Sequence, residues 1–199
     1  MAAESEREIL AEGDFCDRVF VLCAGWAFQY VRLSNGRRQI LKFLLPGDVF
    51  SSALIFERVP HFSVKALTSV HICGFARSEV RESCCTNPSD MSEIAQILVG
   101  EARDSAEFLA VLGRCSADQR IAYLVLNLVR RLAARHDIGG QRYPFPLKQR
   151  HIADSVGLTT VHVSRVLGHL RSRGILSLSE GAIEVLDFPA LEQLGSVKS

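Results

Sequence analysis

The chain predicts an α+β fold in three parts: a β-roll over 1–89, a long helix over 90–115, and a helix pair followed by a β-hairpin over 116–199. Three observations carry this expectation. Short apolar runs separated by glycine-rich turns recur roughly every ten residues between Phe15 and Ala76, the mark of a small β-sandwich or barrel. From Asp90 to Gly113, apolar residues recur at helical spacing. Between Leu147 and Arg165, two short apolar-stitched helices flank a glycine. Many proteins use that arrangement to place side chains in a DNA major groove.

Val19–Leu22 is the first apolar strand, and Ala24-Gly25 turns it. Phe28, Tyr30 and Leu33 fall on the second, which Ser34-Asn35-Gly36 closes. Gln39–Leu44, Val64–Leu67 and Val70–Phe75 complete the roll, with a turn at Leu45-Pro46-Gly47-Asp48. No helix of length is expected between Phe15 and Ala76. The following helix carries Ile94, Leu98, Ala102, Phe108, Leu109 and Leu112; its stripe lapses around Glu101 and Ser105, and Gly100 weakens it. A long helix between two domains with a partial heptad suits a dimer seam. Ile94, Leu98, Phe108, Leu109 and Leu112 are therefore the expected interface, with packing on the chain's own roll as the alternative. Ser116-Ala117-Asp118-Gln119 reads as a capping box. The helix it starts turns Ile121, Leu124, Val125, Leu128, Val129 and Leu132 inward, ends near His136, and gives way to a loop at Gly139-Gly140.

In the helix pair, Ile152, Ala153 and Val156 give the first member a buried face. Gly157 supplies the left-handed residue that ends it, and Thr159 caps the second. Val163, Val166, Leu167 and Leu170 form the core stripe of that second helix. Thr160, Val161, Ser164, Arg165 and Gly168 lie opposite, where small residues permit close approach and one long arginine reaches out. An ordinary helical hairpin in a core is the plain alternative, but Arg165, His169, Arg171 and Arg173 would be wasted there. Ile175–Leu178 and Ala182–Val185 alternate around Ser179-Glu180-Gly181, a hairpin wing.

Composition agrees. The formal net charge is +1, but residues 115–199 hold eleven lysines and arginines against seven acids, whereas 1–114 hold twelve against fifteen. A basic half suits phosphate neutralisation. No apolar run is long enough to span a membrane, and Met1–Glu12 has no secretory pattern, so a cytoplasmic chain is expected. The six cysteines contain no Cys-x-x-Cys pair. Free thiols, most of them in the core, are expected. Should a thiol act as a sensor, Cys84 and Cys85 are the expected participants.

The order of motifs resembles the cyclic-AMP receptor and fumarate–nitrate regulator (Crp/Fnr) superfamily of bacterial transcription factors. The resemblance runs from Gly13 to Leu194. It rests on Gly13-Asp14 before Arg18–Leu22 and Gly25, on Asn35–Leu41 with Leu45-Pro46-Gly47-Asp48, on Leu112-Gly113-Arg114 with Ser116-Ala117 and Arg120-Ile121-Ala122, and on Ala153–Thr159 with Val163-Ser164-Arg165. It implies a cyclic-nucleotide-binding-like roll and a homodimer on partly palindromic DNA, with RNA polymerase as a partner. It also implies that Arg165 reads a guanine, whose O6 and N7 match the guanidinium fork. Ser164, Val161, His162 and Thr160 join it as base readers, and Gln149, Thr159, Arg150 and Arg171 as phosphate contacts. Many members place a glutamate three or four residues before the reading arginine. This chain has Val161 there, followed by His162. Valine accepts no hydrogen bond but fits a thymine methyl, so a different half-site is expected. Lys148 replaces a capping threonine, and Glu180 in the wing turn disfavours phosphate.

No cofactor is expected. In the family a Gly-Glu turn holds the ribose of a cyclic nucleotide and an Arg-Ser pair its phosphate. The matching segments, Phe50-Ser51-Ser52-Ala53-Leu54 and Pro60-His61-Phe62-Ser63, lack that glutamate and an arginine beside Ser63. Cyclic AMP is therefore not expected to bind through the usual contacts. An iron–sulfur cluster is not expected either, because only Cys16 and Cys23 are early. Haem is disfavoured, with His61, His71 and Cys73 as the candidate axial ligands. Relatives usually have a helix and a strand before the segment matching Glu12-Gly13-Asp14, so a truncated start or an incomplete roll is expected. A thiol- or haem-based redox or gas sensor with DNA binding as its output is the second reading. An enzyme is the third, and no nucleophile–base pair, metal triad or phosphate loop supports it.

Overall fold

Alternation of apolar and polar residues builds the roll. A computed structural model describes residues 1–135 and 141–196. In it β3 (Arg18–Ala24), β4 (Ala27–Arg32), β5 (Arg38–Leu44), β6 (Ser63–Ala66) and β7 (Val70–Ala76) occupy the five predicted runs. Leu33 instead lies in the β4–β5 turn, where its N–H donates to the Arg37 carbonyl at 2.8 Å. The residues before Glu12 supply two further strands, β1 (Ala2–Ala3) and β2 (Glu8–Leu10). β1 adds to the edge of β7, and β2 to the edge of β6. Strands of two and three residues are too short to show a period, so no apolar alternation announces them. The sheets run β1-β7-β3 and β2-β6-β4-β5. Leu22, Leu44, Phe50, Leu54, Val64 and Ile72 lie in the core of this part of the chain. Gly25 is required at the β3–β4 turn: its φ is +82°, and a Cβ there would meet the Ser69 carbonyl oxygen at 2.2 Å.

α1 (Arg77–Thr86) was not foreseen, because Val80 and Cys84 are the only apolar side chains of this polar segment that turn inward. On it Cys84 is buried at 6% exposure while Cys85 is exposed, and both are free thiols, as expected. Cys23 and Cys73, expected as free thiols, are instead exposed and joined to each other in a disulfide across β3 and β7. Sequence spacing could not show this, since it depends on strand register.

α2 (Pro88–Arg114) is the predicted long helix. The chain divides into two compact units, Met1–Ser105 and Ala106–Ser199, and the division falls within α2. In the second unit, α3 (Ala117–Ala133) opens on the predicted capping box. The Gln119 N–H donates to Ser116 Oγ at 3.3 Å, and the Ser116 N–H to Gln119 Oε1 at 2.9 Å. Its expected end near His136 and the loop at Gly139-Gly140 lie outside the described residues. There follow β8 (Arg142–Pro144), α4 (Gln149–Val156), α5 (Thr160–Ser172), β9 (Leu176–Ser179), β10 (Ala182–Val185) and α6 (Phe188–Gly195). The wing is the sheet β8-β10-β9, turned by Glu180 and Gly181, both at positive φ. α6 was also missed, although Asp187 and Pro189 signal its start; the Ala190 N–H donates to Asp187 Oδ1 at 2.9 Å. Gly195 at its end lets the α6 backbone lie on α3, where a Cβ would sit 2.9 Å from the Ala122 backbone. Among the described residues no helix is long and apolar enough to cross a membrane.

Candidate nucleic-acid interface

Burial decides which face of α5 is free. Val163, Val166, Leu167 and Leu170 are all buried, together with Ile152, Ala153 and Val156 of α4. Between the helices Gly157 adopts φ +69°, and the Leu158 N–H reaches back to the Ala153 carbonyl at 3.1 Å. Thr159 Oγ1 accepts from the His162 N–H at 3.2 Å and starts α5. The start of α4 is held differently from the family pattern. Lys148 has no acceptor to offer, but its own N–H donates to Nδ1 of the buried His151 at 3.1 Å.

With that stripe inside, Thr160, Val161, His162, Ser164, Arg165 and Gly168 are all exposed. Val161 is 69% exposed, a large apolar side chain left in water. Thr160, Val161, Ser164 and Arg165 join Gln149 of α4 around an open depression of about 470 Å³. A second depression, about 430 Å³, adjoins it between α4, α5 and the wing, and includes Lys148, Gly168 and Arg171. The groups that could meet phosphate therefore flank the groups that could meet bases. Arg150 is exposed beside them, with its Nε 3.2 Å from Nε2 of His151. Arg171 also ties α5 to the wing, donating to the Leu178 carbonyl at 3.3 Å.

Two residues that position this face were not singled out from the sequence. Arg120 of α3 donates through Nε to the Cys115 carbonyl at 3.0 Å and through Nη1 to the Val156 carbonyl at 3.4 Å, securing the end of α4. Asp118 meets His169 of α5 at 3.0 Å. Both lie in the first turn after the Ser116 cap, so the capping box places them.

A family model described as a Crp-like helix-turn-helix domain matches residues 119–194, and one described as a cyclic nucleotide-binding domain matches residues 2–87. The nitrogen fixation regulation protein FixK of Rhizobium meliloti is 33% identical over 191 residues, covering 94% of this chain and 83% of that protein. FixK of Bradyrhizobium diazoefficiens is 30% identical over 192 residues, covering 96% and 80%. The chain belongs to the Crp/Fnr family. The structure of FixK2 from Bradyrhizobium japonicum matches it with a TM-score of 0.90 at 28% identity, over 100% of this chain and 98% of that one. This Crp/Fnr protein is a DNA-binding transcription regulator, and its relatives are regulators rather than enzymes.

The roll of this regulator uses its serines internally. Ser51 Oγ accepts from the Phe20 N–H at 2.7 Å, and Ser63 Oγ from the Glu12 N–H at 3.0 Å. Ser52 donates to Glu101 of α2, and the Lys42 ammonium meets the same carboxylate at 3.2 Å. A cyclic nucleotide's phosphate needs a cation; no arginine stands beside Ser63, and the Lys42 ammonium near Ser52 is already paired with Glu101. Of the haem candidates, His61 is a surface residue 3.5 Å from Glu57, His71 is exposed on β7, and Cys73 is bonded to Cys23. Among the described residues no group of three or more His, Cys, Asp or Glu is placed to hold a metal ion.

On α2, Leu109 is 71% exposed, whereas Ile94, Leu98, Phe108 and Leu112 are half-buried. Phe108 stacks on Tyr123 of α3 with ring centroids 6.0 Å apart. Met91 and Val99, absent from the expected seam, are exposed as well.

Replacing Thr159 by Ala removes the oxygen that caps α5. Thr159→Ala is expected to destabilise the protein by about 1 kcal/mol in chemical denaturation, and Thr159→Ser to stay near the parent value. Equal midpoints for parent and alanine variant contradict the cap.

Proposed function

We propose that this regulator acts as a homodimer on a partly palindromic DNA site, with α5 of each copy in the major groove and Arg165 reading a guanine. The observation that carries the reading is the exposed Arg165 beside Ser164, Thr160, Val161 and Gln149 around one depression. A bidentate arginine–guanine contact contributes roughly 1–3 kcal/mol of discrimination. Val161 supplies an apolar contact suited to a thymine methyl, and Ser164, His162 and Thr160 complete the base-reading set. Gln149, Thr159, Arg150 and Arg171 take phosphates. RNA polymerase is the expected protein partner and the cytoplasm the expected location.

The dimer reading is supported by heptad spacing on α2. Ala95, Ala102 and Leu109 recur every seven residues, and so do Met91, Leu98, Ser105 and Leu112. The two series alternate at four and three residues, the spacing of a two-stranded seam. Half-sites would then lie about one helical turn apart. The reading includes no cyclic nucleotide, because Ser51, Ser52 and Ser63 all bond to protein groups.

Selection of bound DNA from a random pool gives the half-site. Against that site, Arg165→Ala is expected to lower affinity by roughly 10–100-fold with unchanged circular dichroism and thermal midpoint; unchanged affinity and preference defeat the reading. Leu109→Glu is expected to shift the species in sedimentation equilibrium from dimer to monomer, and a retained dimer removes α2 as the seam. Calorimetry with cyclic AMP is expected to show no saturable heat, and micromolar binding overturns that part of the proposal.

A further inference from the structure

Cys23 and Cys73 lie outside everything the DNA reading uses. In a regular antiparallel ladder, Val21 opposite Cys73 and Leu22 opposite Ile72 would put residue 23 opposite His71. His71 pairs with Ala24 instead, so Cys23 is the extra residue of a β-bulge. A bulge bends its strand and re-aims that side chain. The cysteines lie 6.4 Å apart at Cα, within the roughly 4.4–6.8 Å that a disulfide spans without backbone movement. Both are exposed, so a small thiolate can reach the sulfurs. The other four cysteines differ: Cys16 and Cys84 are buried, Cys115 is half-buried, and Cys85 is exposed without a disulfide partner.

Their proximity does not depend on the bond. The ladder from Arg18↔Ala76 to Leu22↔Ile72 fixes the register. Phe20 covers Gly74, where a Cβ would lie 3.1 Å from its ring, and Phe20 stacks on Phe50 at 5.6 Å. In the reduced form these contacts keep the two thiols neighbours, so reclosure is intramolecular and favoured over capture by a second small molecule.

We propose that Cys23 and Cys73 form a reversible thiol–disulfide exchange site for low-molecular-weight thiols and disulfides. One protein thiolate attacks a sulfur of the small disulfide, giving a mixed disulfide and releasing the first small thiol. The second protein thiolate attacks the cysteine sulfur of that mixed disulfide, closing Cys23–Cys73 and releasing the second small thiol. Two protein S–H bonds and one small S–S bond break; one protein S–S bond and two small S–H bonds form. The small disulfide takes up the two electrons, and a reducing thiol runs both steps backward. The closed form ties a loop containing β4, β5 and β6, which removes freedom from the unfolded chain.

The test equilibrates the full chain in glutathione buffers of graded oxidised-to-reduced ratio. Samples are quenched in acid and alkylated, and the cysteine peptides are mapped by mass spectrometry. The linked fraction of Cys23–Cys73 is expected to rise from near zero to near one as the buffer becomes more oxidising, and to fall again on adding reduced glutathione. The oxidised protein is expected to melt roughly 5–15 °C above the reduced one. Cys23→Ser and Cys73→Ser should each abolish both the link and that difference. Absence of the link at every ratio overturns the proposal. So does a link that excess reduced glutathione leaves intact, or a melting difference that persists in Cys23→Ser. The mapping uses the parent protein, so it stands whether or not either variant folds.

Discussion

The DNA-binding unit depends on one constraint: α5 can bury a single face. Val163, Val166, Leu167 and Leu170 are committed to the interior, and burying side chains of this size contributes roughly 1.5–3 kcal/mol each. At 3.6 residues per turn, that stripe assigns every other position on the helix. Arg165 follows Ser164 and precedes Val166, so it can only face outward while Val166 is inside. The local devices then fix where the helix begins and how it tilts. Gly157 sets the chain direction, the Thr159 hydroxyl starts the helix, and Arg120 holds the last carbonyl of α4. The exposed residues of α5 need no special fold of their own; they occupy what hydrophobic burial leaves over.

The same reasoning explains what the sequence revealed. The helix pair, its caps and the wing were legible because several apolar residues repeat at one period and a named turn residue closes each run. The five main strands were legible for the same reason. Elements with little amphipathic signal were not. β1 and β2 are two and three residues long, and they exist because β6 and β7 offer edges to pair with. α1 has two inward apolar residues in three turns. α6 did carry a readable signal in Asp187 and Pro189. Arg165 and its neighbours were readable as a face, whereas the His151 cap and the Arg120 and Asp118 contacts need three-dimensional register. The cysteines are the clearest case. Cys84 and Cys85 were the expected participants in any thiol chemistry, yet both are free and Cys84 is buried. A one-residue bulge brought together two cysteines fifty residues apart.

The roll pairs several of its serines with its own chain. Residues 2–87 match a model described as cyclic nucleotide-binding, yet the serine hydroxyls at the matching positions bond to Phe20, Glu12 and Glu101. A buried hydroxyl already paired gains little by exchanging partners, because the group it leaves must then be paired elsewhere. Lys42, beside Ser52, is held by the Glu101 carboxylate, and a phosphate there would have to compete with that pair. The architecture persists because its strands and core are satisfied independently of what the interior serines hold.

Glu101 links this economy to the long helix. It interrupts the apolar pattern of α2, and in the heptad set by Ala95, Ala102 and Leu109 it falls at the flanking position just before Ala102. Charges at flanking positions commonly cross to a partner helix. Glu101 instead holds Ser52 and Lys42 of its own roll. A carboxylate fixed on one side of a helix limits the rotation of that stretch of helix about its axis. Near Glu101 on the same helix, Leu98 is half-buried while Ala102 and Ser105 are exposed. The break in the apolar stripe is thus the contact that fastens this stretch of α2 to the roll.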